Sequence, residues 1–321
     1  MPTPAVVVPS YNGQELLTSL LLSLAQQTLE HEVVVVDNGS TDATCDVVAE
    51  RFPDARLLPL PENLGFGRAL NRGVRASTAS TIVFLNNDVV CEPEFLERIC
   101  LALEPSRGVV MAGGVLVQAE QPDRIDSAGM VFDETLFAYD YLRGDPVEIL
   151  DDGVADPLGP CAGAAALDRA AFEAVGGFDE RFFAYLEDVD LVARMITTGG
   201  RCRLVPGARA LHRHSATLGS GSRSKNELMG WGRGYTLAKY RLHRRPRLFA
   251  RALAAELVIA SGQLLIDRTA VGFRARGRGF RAGLHVPPHP LPDLPPPTAA
   301  ISLTNALRRR FRPRPGLGAT R

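Results

Sequence analysis

Lysine is almost absent from this chain of 321 residues: Lys225 and Lys239 are the only two, and arginine carries the remaining positive charge of the side chains. No glycine run is followed by a P-loop lysine, and the glycine-rich, lysine-bearing start of a nucleotidyltransferase is missing. No G-x-S-x-G elbow occurs, which argues against a serine hydrolase of that type. Gly65-x-Gly67 lacks a third glycine, because Leu70 stands in its place, so the dinucleotide fingerprint fails. Cysteine is scarce and unpatterned. Cys45, Cys91, Cys100, Cys161 and Cys202 are odd in number and show no C-x-x-C spacing, which argues against a disulfide framework or a structural zinc site and fits a reducing cytoplasm. Met1-Pro2-Thr3-Pro4 runs into an apolar strand without the charged start and apolar core of a secretory signal, so a cytoplasmic protein is expected. The apolar stretch from Leu248 to Ile266 is interrupted by Arg251 and Glu256, and reads as too short and too charged for a membrane span.

The 45% hydrophobic content suffices for the core of one large domain, or of one domain with an extension. The formal net charge of zero hides an asymmetry: residues 241–321 hold 16 Arg against 3 acidic residues, a balance of +13 that leaves −13 on residues 1–240. Two readings fit such a split. One is an acidic catalytic body with a basic tail facing an anionic surface; the other is a solvated, Arg-rich end.

Short apolar runs alternate with helical patterns along the first half. Val6-Val7-Val8 and Val33-Val34-Val35-Val36 read as buried strands, followed by helices over about Gln14–Gln27 and after a cap at Ser40 or Thr41. Leu57-Leu58, Ile82-Val83-Phe84-Leu85 and Val109 to Val117 continue the strands, with helices near Arg68–Ala76 and Glu94–Leu103. This alternation predicts an α/β fold with a mostly parallel sheet covered on both faces, its ligands beyond the carboxyl ends of the strands. Those ends are polar: Pro9-Ser10-Tyr11-Asn12-Gly13, Asp37-Asn38-Gly39-Ser40-Thr41-Asp42 and Asn86-Asn87-Asp88. A turn with a helix cap explains Gly39 and Ser40. It explains Asp37 poorly, because a carboxylate closing a four-valine strand needs a partner, such as a base or ribose donor.

A second acidic segment follows about 100 residues after Asp88. Phe182-Phe183-Ala184-Tyr185-Leu186-Glu187-Asp188-Val189-Asp190-Leu191 presents three acids behind an aromatic run. Carboxylates contributed by separate elements suit metal-assisted transfer, one site holding the metal and another taking a proton. A simpler reading covers part of the segment: acids favouring the positive N-terminus of a helix to about Thr198, with Asp190 and Arg194 paired at i,i+4.

Taken in order, Val8-Pro9-Ser10-Tyr11-Asn12, Val36-Asp37-Asn38-Gly39-Ser40-Thr41-Asp42, Asn63-Leu64-Gly65-Phe66-Gly67-Arg68 through Asn71-Arg72-Gly73, Leu85-Asn86-Asn87-Asp88, and Gly176-Gly177-Phe178-Asp179-Glu180 through Leu191 resemble the family 2 glycosyltransferases. The likeness covers roughly residues 4–220 and is greatest to the bacterial rhamnosyltransferase and galactofuranosyltransferase-like branch. It implies a GT-A fold with a Rossmann-like mixed sheet, a nucleoside-diphosphate-sugar donor and inversion at the anomeric carbon. Pro9, Ser10 and Tyr11 would line the nucleotide, and Asp37 would accept the base imide hydrogen. Asn12, Asn38 and Asn87 join the donor set; Asn63, Gly67, Arg68 and Asn71 would approach the diphosphate and sugar. Asp88 matches the last acid of the metal-binding aspartate-x-aspartate element, while Asn86 replaces the first. His212 matches a histidine that ligates the metal or touches the diphosphate, with His214 as a second candidate. The implied cofactor is Mn2+ or Mg2+. Asp188, with Glu187 beside it, matches the catalytic base, and Cys161, Ala162 and Gly163 belong to the implied acceptor wall.

The expected organisation is a catalytic domain over 1–224, amphipathic helices over 225–283 and a disordered Pro/Arg-rich tail over 284–321. The Arg-rich flanks of the helices, with Trp231 and Tyr235 nearby, suit an interfacial position on anionic lipid; packing on the catalytic domain or on a second subunit is the alternative. The expected partners are a nucleoside-diphosphate sugar, a cell-envelope glycan or polyprenyl-linked acceptor, an anionic membrane surface at the inner face of the cell membrane, and a second copy of the chain, without nucleic acid. The rival to an enzyme is a non-catalytic nucleotide-sugar-binding scaffold.

Overall fold

The computed structural model describes residues 2–213 and 222–294; His214 and the tail from residue 295 onward lie outside the described residues. The first half is β1 (Ala5–Ser10), α1 (Gln14–Leu24), β2 (Glu32–Asp37), α2 (Thr44–Arg51), β3 (Arg56–Pro59), α3 (Phe66–Arg75) and β4 (Thr81–Leu85). β-Branched valines favour the extended chain, and their alternation assigns them to two cores. Val6, Val8, Val35 and Val83 face α1, whose Leu17, Leu20, Leu21 and Leu24 recur at helical spacing. Val7, Val34, Val36 and Phe84 face α3 through Ala69, Leu70 and Val74. Strands β3, β2, β1 and β4 lie side by side in parallel, as the alternation predicts.

Beyond β4 the sheet becomes mixed. There follow β5 (Val89–Cys91), α4 (Phe95–Leu101), β6 (Val109–Gln118), β7 (Ile125–Ser127), β8 (Met130–Phe132), β9 (Ala138–Asp140), β10 (Ala164–Asp168), α5 (Arg169–Ala174), α6 (Glu187–Thr197) and β11 (Arg201–His212). The spatial order is β3-β2-β1-β4-β10-β6-β11-β5, with β10 antiparallel to both neighbours and β5 antiparallel to β11. The insertion of β10 corrects the expectation of a mostly parallel sheet. The helix caps also differ: the Ser40 hydroxyl accepts the Asn12 N–H at 2.9 Å, and α2 starts at Thr44, whose N–H and hydroxyl donate to Asp42 Oδ1.

Three helices complete the described chain: α7 (Arg223–Lys239), α8 (Pro246–Leu265) and α9 (Val271–Leu284). Tyr235, Leu237 and Tyr240 belong to the same apolar cluster as α6. Helices α7 and α9 meet backbone to backbone. A Cβ at Gly230 or Gly234 would run into the Gly272 or Arg276 carbonyl, and one at Gly279 or Gly283 into Trp231 or Tyr235. The i,i+4 glycines on both helices make that approach feasible. Helix α8 is 20 residues long, and an 18-residue stretch of it has a mean hydropathy of 1.5, so by length and composition it could cross a bilayer. This corrects the reading of that stretch as too short and too charged.

Candidate active site

Parallel pairing aligns Ser10 with Asp37, and the Asn87 amide donates to Ser10 Oγ at 3.1 Å, so the ends of β1, β2 and β4 form one polar edge. Asn12, held at a positive φ of 48°, ties the first two ends together: its Oδ1 accepts the Thr41 N–H at 2.8 Å. Pro9 is buried in β1, while the Tyr11 ring is 38% exposed at the edge and free to lie against a base. Asp37 is buried. Its Oδ2 accepts the Ser40 N–H at 3.1 Å, whereas Oδ1 has no hydrogen-bond partner within the protein. A buried acceptor left in that state costs about 1–3 kcal/mol, which a ligand N–H would recover. Burial, and then the Asp37 carboxylate, push the nearby Cys45 thiol up to about 11, so it is protonated at neutral pH.

Asn38 and Asn63 lie together behind the strand ends. The Asn38 amide donates to Asn63 Oδ1 and the Gly65 carbonyl, its oxygen accepts the Leu64 N–H, and Asn63 Oδ1 also accepts the Gly65 N–H. These bonds brace the loop that enters α3. Farther along, Asn71 exchanges hydrogen bonds with the Phe178 backbone, Gly67 packs under the Phe178 side chain, and Arg68 donates to the Glu180 carbonyl. Asn71, Gly67 and Arg68 therefore hold the Gly176–Glu180 turn rather than meeting the polar strand ends.

Asp88, Asn86 and His212 converge. β11 pairs with β5 so that His212 lies opposite Val89, and His212 Nε2 stands 3.4 Å from Asp88 Oδ1. Asp88 Oδ1 and Asn86 Oδ1 are buried without a hydrogen-bond partner. Two acceptor oxygens beside an imidazole suit a divalent cation, the amide oxygen standing where a second carboxylate was expected. Among the described residues, no cluster of three His, Cys, Asp or Glu side chains could hold a metal alone.

One group at this centre went unnoticed in the sequence. Asp126 on β7 is buried, and its Oδ2 lies 2.6 Å from His212 Nδ1. A carboxylate behind a ligating histidine fixes its ring and tautomer. Burial pushes the imidazole pKa down, but the hydrogen bond to Asp126 and the charges of the Asp126 and Asp88 carboxylates outweigh it and hold His212 at about 9. Arg143 continues the chain, 3.2 Å from Asp126 and 2.8 Å from Asp140.

Asp140 leads to the second acidic segment. The chain turns into α6 through Tyr185 and Leu186, two successive residues at positive φ, 69° and 72°. Such backbone costs about 1–3 kcal/mol per residue and persists only where packing imposes it. Here Gly65 abuts the Phe183 carbonyl, whose oxygen accepts the Phe66 N–H at 2.7 Å, and Phe182 packs edge-on against Trp231 and Tyr235 of α7. Glu187 is buried with Oε2 lacking a hydrogen-bond partner, and Asp188 beside it is half-buried. Burial raises both carboxyls; Asp188 raises Glu187 further, and Asp140 opposes the hydrogen bond from the Val189 N–H in raising Asp188. Such a carboxylate is a stronger base than an exposed one.

The expected acceptor wall lies against this pair. Gly159 packs on Val192 of α6, Ala162 and Asp188 line one small cavity with Pro160, and Gly163 packs on Asn86. Burial pushes the Cys161 thiol up, with Asp140 and Asp188 adding to it. One loop thus bridges the Asn86–Asp88 end and the Glu187–Asp188 pair. Asp190, by contrast, points inward, pairing with Arg194 at 2.8 Å and Lys239 at 2.6 Å.

Residues 5–173 match the model for glycosyl transferase family 2. The N-acetylglucosaminyl-diphospho-decaprenol L-rhamnosyltransferase of Mycobacterium tuberculosis is 33% identical over 67% of this chain and 77% of its own length. The O-antigen biosynthesis protein RfbC of Myxococcus xanthus is 31% identical over 67% of this chain, but over only 18% of its own. Among solved structures, the mannosyltransferase PcManGT from Pyrobaculum calidifontis, in complex with GDP-Man and Mn2+, superposes with a TM-score of 0.51 at 22% identity, over 88% of this chain and 74% of that one. GalNAc-T7 with UDP, GalNAc and Mn2+ gives 0.59 at 14% identity, over 75% and 48%. These two establish the shared fold. With the family model spanning half of the chain, and a curated relative one third identical over two thirds of it, the protein belongs to the family 2 glycosyltransferases and has the GT-A fold.

Proposed function

We propose that this glycosyltransferase moves a sugar from a nucleoside diphosphate to a hydroxyl of a cell-envelope glycan carried on a polyprenyl diphosphate, with inversion. The observation that carries the reading is the pairing of unpartnered acceptor oxygens on two sides of one loop: Asp37, Asn86 and Asp88 at the strand ends, Glu187 beside Asp188 at α6. Support for the acceptor class is the activity for which the mycobacterial relative is named, which also makes L-rhamnose the first donor sugar to test. The working location in this reading is the cytoplasmic face of the membrane, where such an acceptor resides.

Asp37 Oδ1 accepts the imide N–H of the base, Tyr11 lies against the ring, and Ser10, Asn12 and Asn87 shape the nucleotide edge. Asp88 and His212, with Asn86, would hold a divalent cation, Mn2+ or Mg2+, which when bound offsets charge on the diphosphate. The acceptor hydroxyl enters along Cys161, Ala162 and Gly163. Its oxygen bonds to the anomeric carbon as its proton passes to Asp188, and the bond to the diphosphate breaks with its electron pair. Attack and departure on opposite faces invert the centre. Glu187, protonated by burial, keeps a second negative charge away from Asp188.

Asp188→Asn tests the assignment. Donor affinity, read by thermal shift over a panel of nucleotide sugars with and without manganese, should stay near that of the parent. Turnover should fall at least ~100-fold. Near-normal transfer by the variant would remove Asp188 from the mechanism.

A further inference from the structure

Helix α8 is amphipathic in the reverse sense. Its fully buried positions are Ala252 and Glu256, while Leu253, Leu257, Val258, Leu264 and Leu265 face outward, Leu265 at 77% exposure. Glu256 is satisfied inward, with Arg233 Nε at 2.6 Å and Arg276 Nε at 2.7 Å. A helix meant for water turns its charges out and its leucines in. A contiguous exposed apolar face of this kind marks a surface with a partner.

The geometry excludes crossing of a membrane. Glu256 meets Arg233 and the Gln263 amide donates to Asn226 at 3.0 Å, so a step of seven residues forward on α8 is seven residues back on α7. The two helices run antiparallel along α8's length. Near its start, Arg251 pairs with Asp133 at 2.6 Å and Phe249 meets the Phe280 ring of α9; just past its end, the Asn226 amide donates to Asp267 at 2.8 Å. Both ends of α8 are fastened to the body, so it can only lie flat on a surface.

Charge identifies that surface. Arg244, Arg245, Arg247 and Arg251 are exposed at the start of α8, and Arg268 and Arg274 beyond its end. A groove of about 500 Å3 beside the start is lined by Arg241, Arg244, Arg245 and His289. Two copies joined through α8 in antiparallel register would bring these like charges together. We propose that α8 is a monotopic membrane-docking helix, its leucine face in the acyl boundary of an anionic bilayer and its flanking arginines on phosphate headgroups. The purpose assigned to it rests on the reading of a lipid-linked acceptor; the geometry does not.

The test is cosedimentation of the full chain with vesicles of phosphatidylglycerol and phosphatidylcholine, or of phosphatidylcholine alone. Binding should be at least ~10-fold tighter to the anionic vesicles, weaken with salt, and be reversed by an alkaline wash, as for a helix that does not span. The double variant Leu257→Glu, Leu264→Glu should lose at least ~10-fold with an unchanged Tm, since both side chains already face outward. Arg244→Gln with Arg245→Gln and Arg247→Gln should weaken low-salt binding by about fivefold per arginine. Donor thermal shift should be unaffected in each, which separates failure of docking from failure of the proposed activity. Binding indifferent to lipid charge, parent-like binding by the Leu257/Leu264 variant, or loss of binding only on replacing Arg308, Arg309 and Arg310 would overturn the proposal. A dimer of the parent that the Leu257/Leu264 variant splits would overturn it as well, by assigning the face to a second copy.

Discussion

Lys239→Met probes how the helices after β11 support the base. Lys239 is 2% exposed, and its ammonium lies 2.8 Å from Asp179 and 2.6 Å from Asp190. Methionine keeps the length and removes the charge. Asp190 retains Arg194 and the Tyr240 hydroxyl, and Asp179 retains the Tyr235 hydroxyl at 2.7 Å, so neither carboxylate is left alone. Removing one partner of a buried pair typically costs 3–5 kcal/mol, and these residual contacts place the loss near ~3 kcal/mol, or roughly 4–5 °C in Tm for a chain of this size. The variant should also change the acid limb. Burial would raise the Asp179 carboxyl, but Lys239 and Tyr235 outweigh it and hold it at about 2. Its folded pKa is therefore below the ordinary ~4, so its stabilisation is complete above that value and lost as pH falls toward 2, up to about 2.5 kcal/mol. In Lys239→Met most of this loss between pH 4 and 2 should vanish. Trp231, the only tryptophan, stacks on Tyr235 at 4.9 Å and reports unfolding in denaturant by its fluorescence. A loss under ~1 kcal/mol at pH 7, or a parent-like acid limb, would refute the argument that this ammonium neutralises the buried pair.

The remaining predictions concern the cleft and the helix pair. Asp188 must be ionised to accept a proton, and its carboxyl is raised to about 6, so kcat/KM should climb with pH through that region rather than near 4; a profile flat from pH 4.5 to 7 would exclude it as the base. Asp126→Asn leaves His212 without its carboxylate, and Mn2+ affinity measured by electron paramagnetic resonance with nucleotide present should fall ~10–100-fold; unchanged affinity would leave Asp126 only a packing role. Asp37→Ala should weaken nucleotide binding by calorimetry even in chelator, whereas Asp88→Ala should weaken only the metal-dependent part. Gly234→Ala sets a methyl against the Arg276 carbonyl and should destabilise the fold by about 1–3 kcal/mol or more, visible as a lower denaturation midpoint.

Strands β1 and β2 could be read in the sequence because their valine runs are buried and bounded by turn residues, and β4 because Ile82-Val83-Phe84-Leu85 is a buried apolar run of the same kind. β10 could not. Its Ala164-Ala165-Ala166 core favours no extended conformation by itself, and its place between β4 and β6 depends on pairing partners distant in sequence. Helices over 225–283 were expected, but not the close packing of α7: Gly230, Gly232 and Gly234 lower local helix propensity, and only the approach of α9 and the acidic loop explains them.

The site divides along the same line. Ser10, Asp37 and Asp88 were legible because a parallel strand brings its carboxyl end to a common edge, so position along the chain fixes position in space. Asn63, Gly67, Arg68 and Asn71 belong to a neighbouring motif, and motif order alone does not reveal their bonds to Gly65, Phe178 and Glu180, which depend on the chain returning at the Gly176–Glu180 turn. Asp126 carried a weaker signal still, one acid between Ile125 and Ser127 in a three-residue strand. A carboxylate buried there makes sense only once β11 has delivered His212 beside it. The position of the strand-end side chains can thus be anticipated from local pattern, while the groups packed behind them follow from tertiary pairing. For Asp188 the orienting part is α7, since Phe182 is clamped by Trp231 and Tyr235 and α6 is anchored through Asp190 to Lys239. The proposed base is therefore held by residues beyond the matched family segment, and loosening α7 should disturb turnover before it disturbs donor binding.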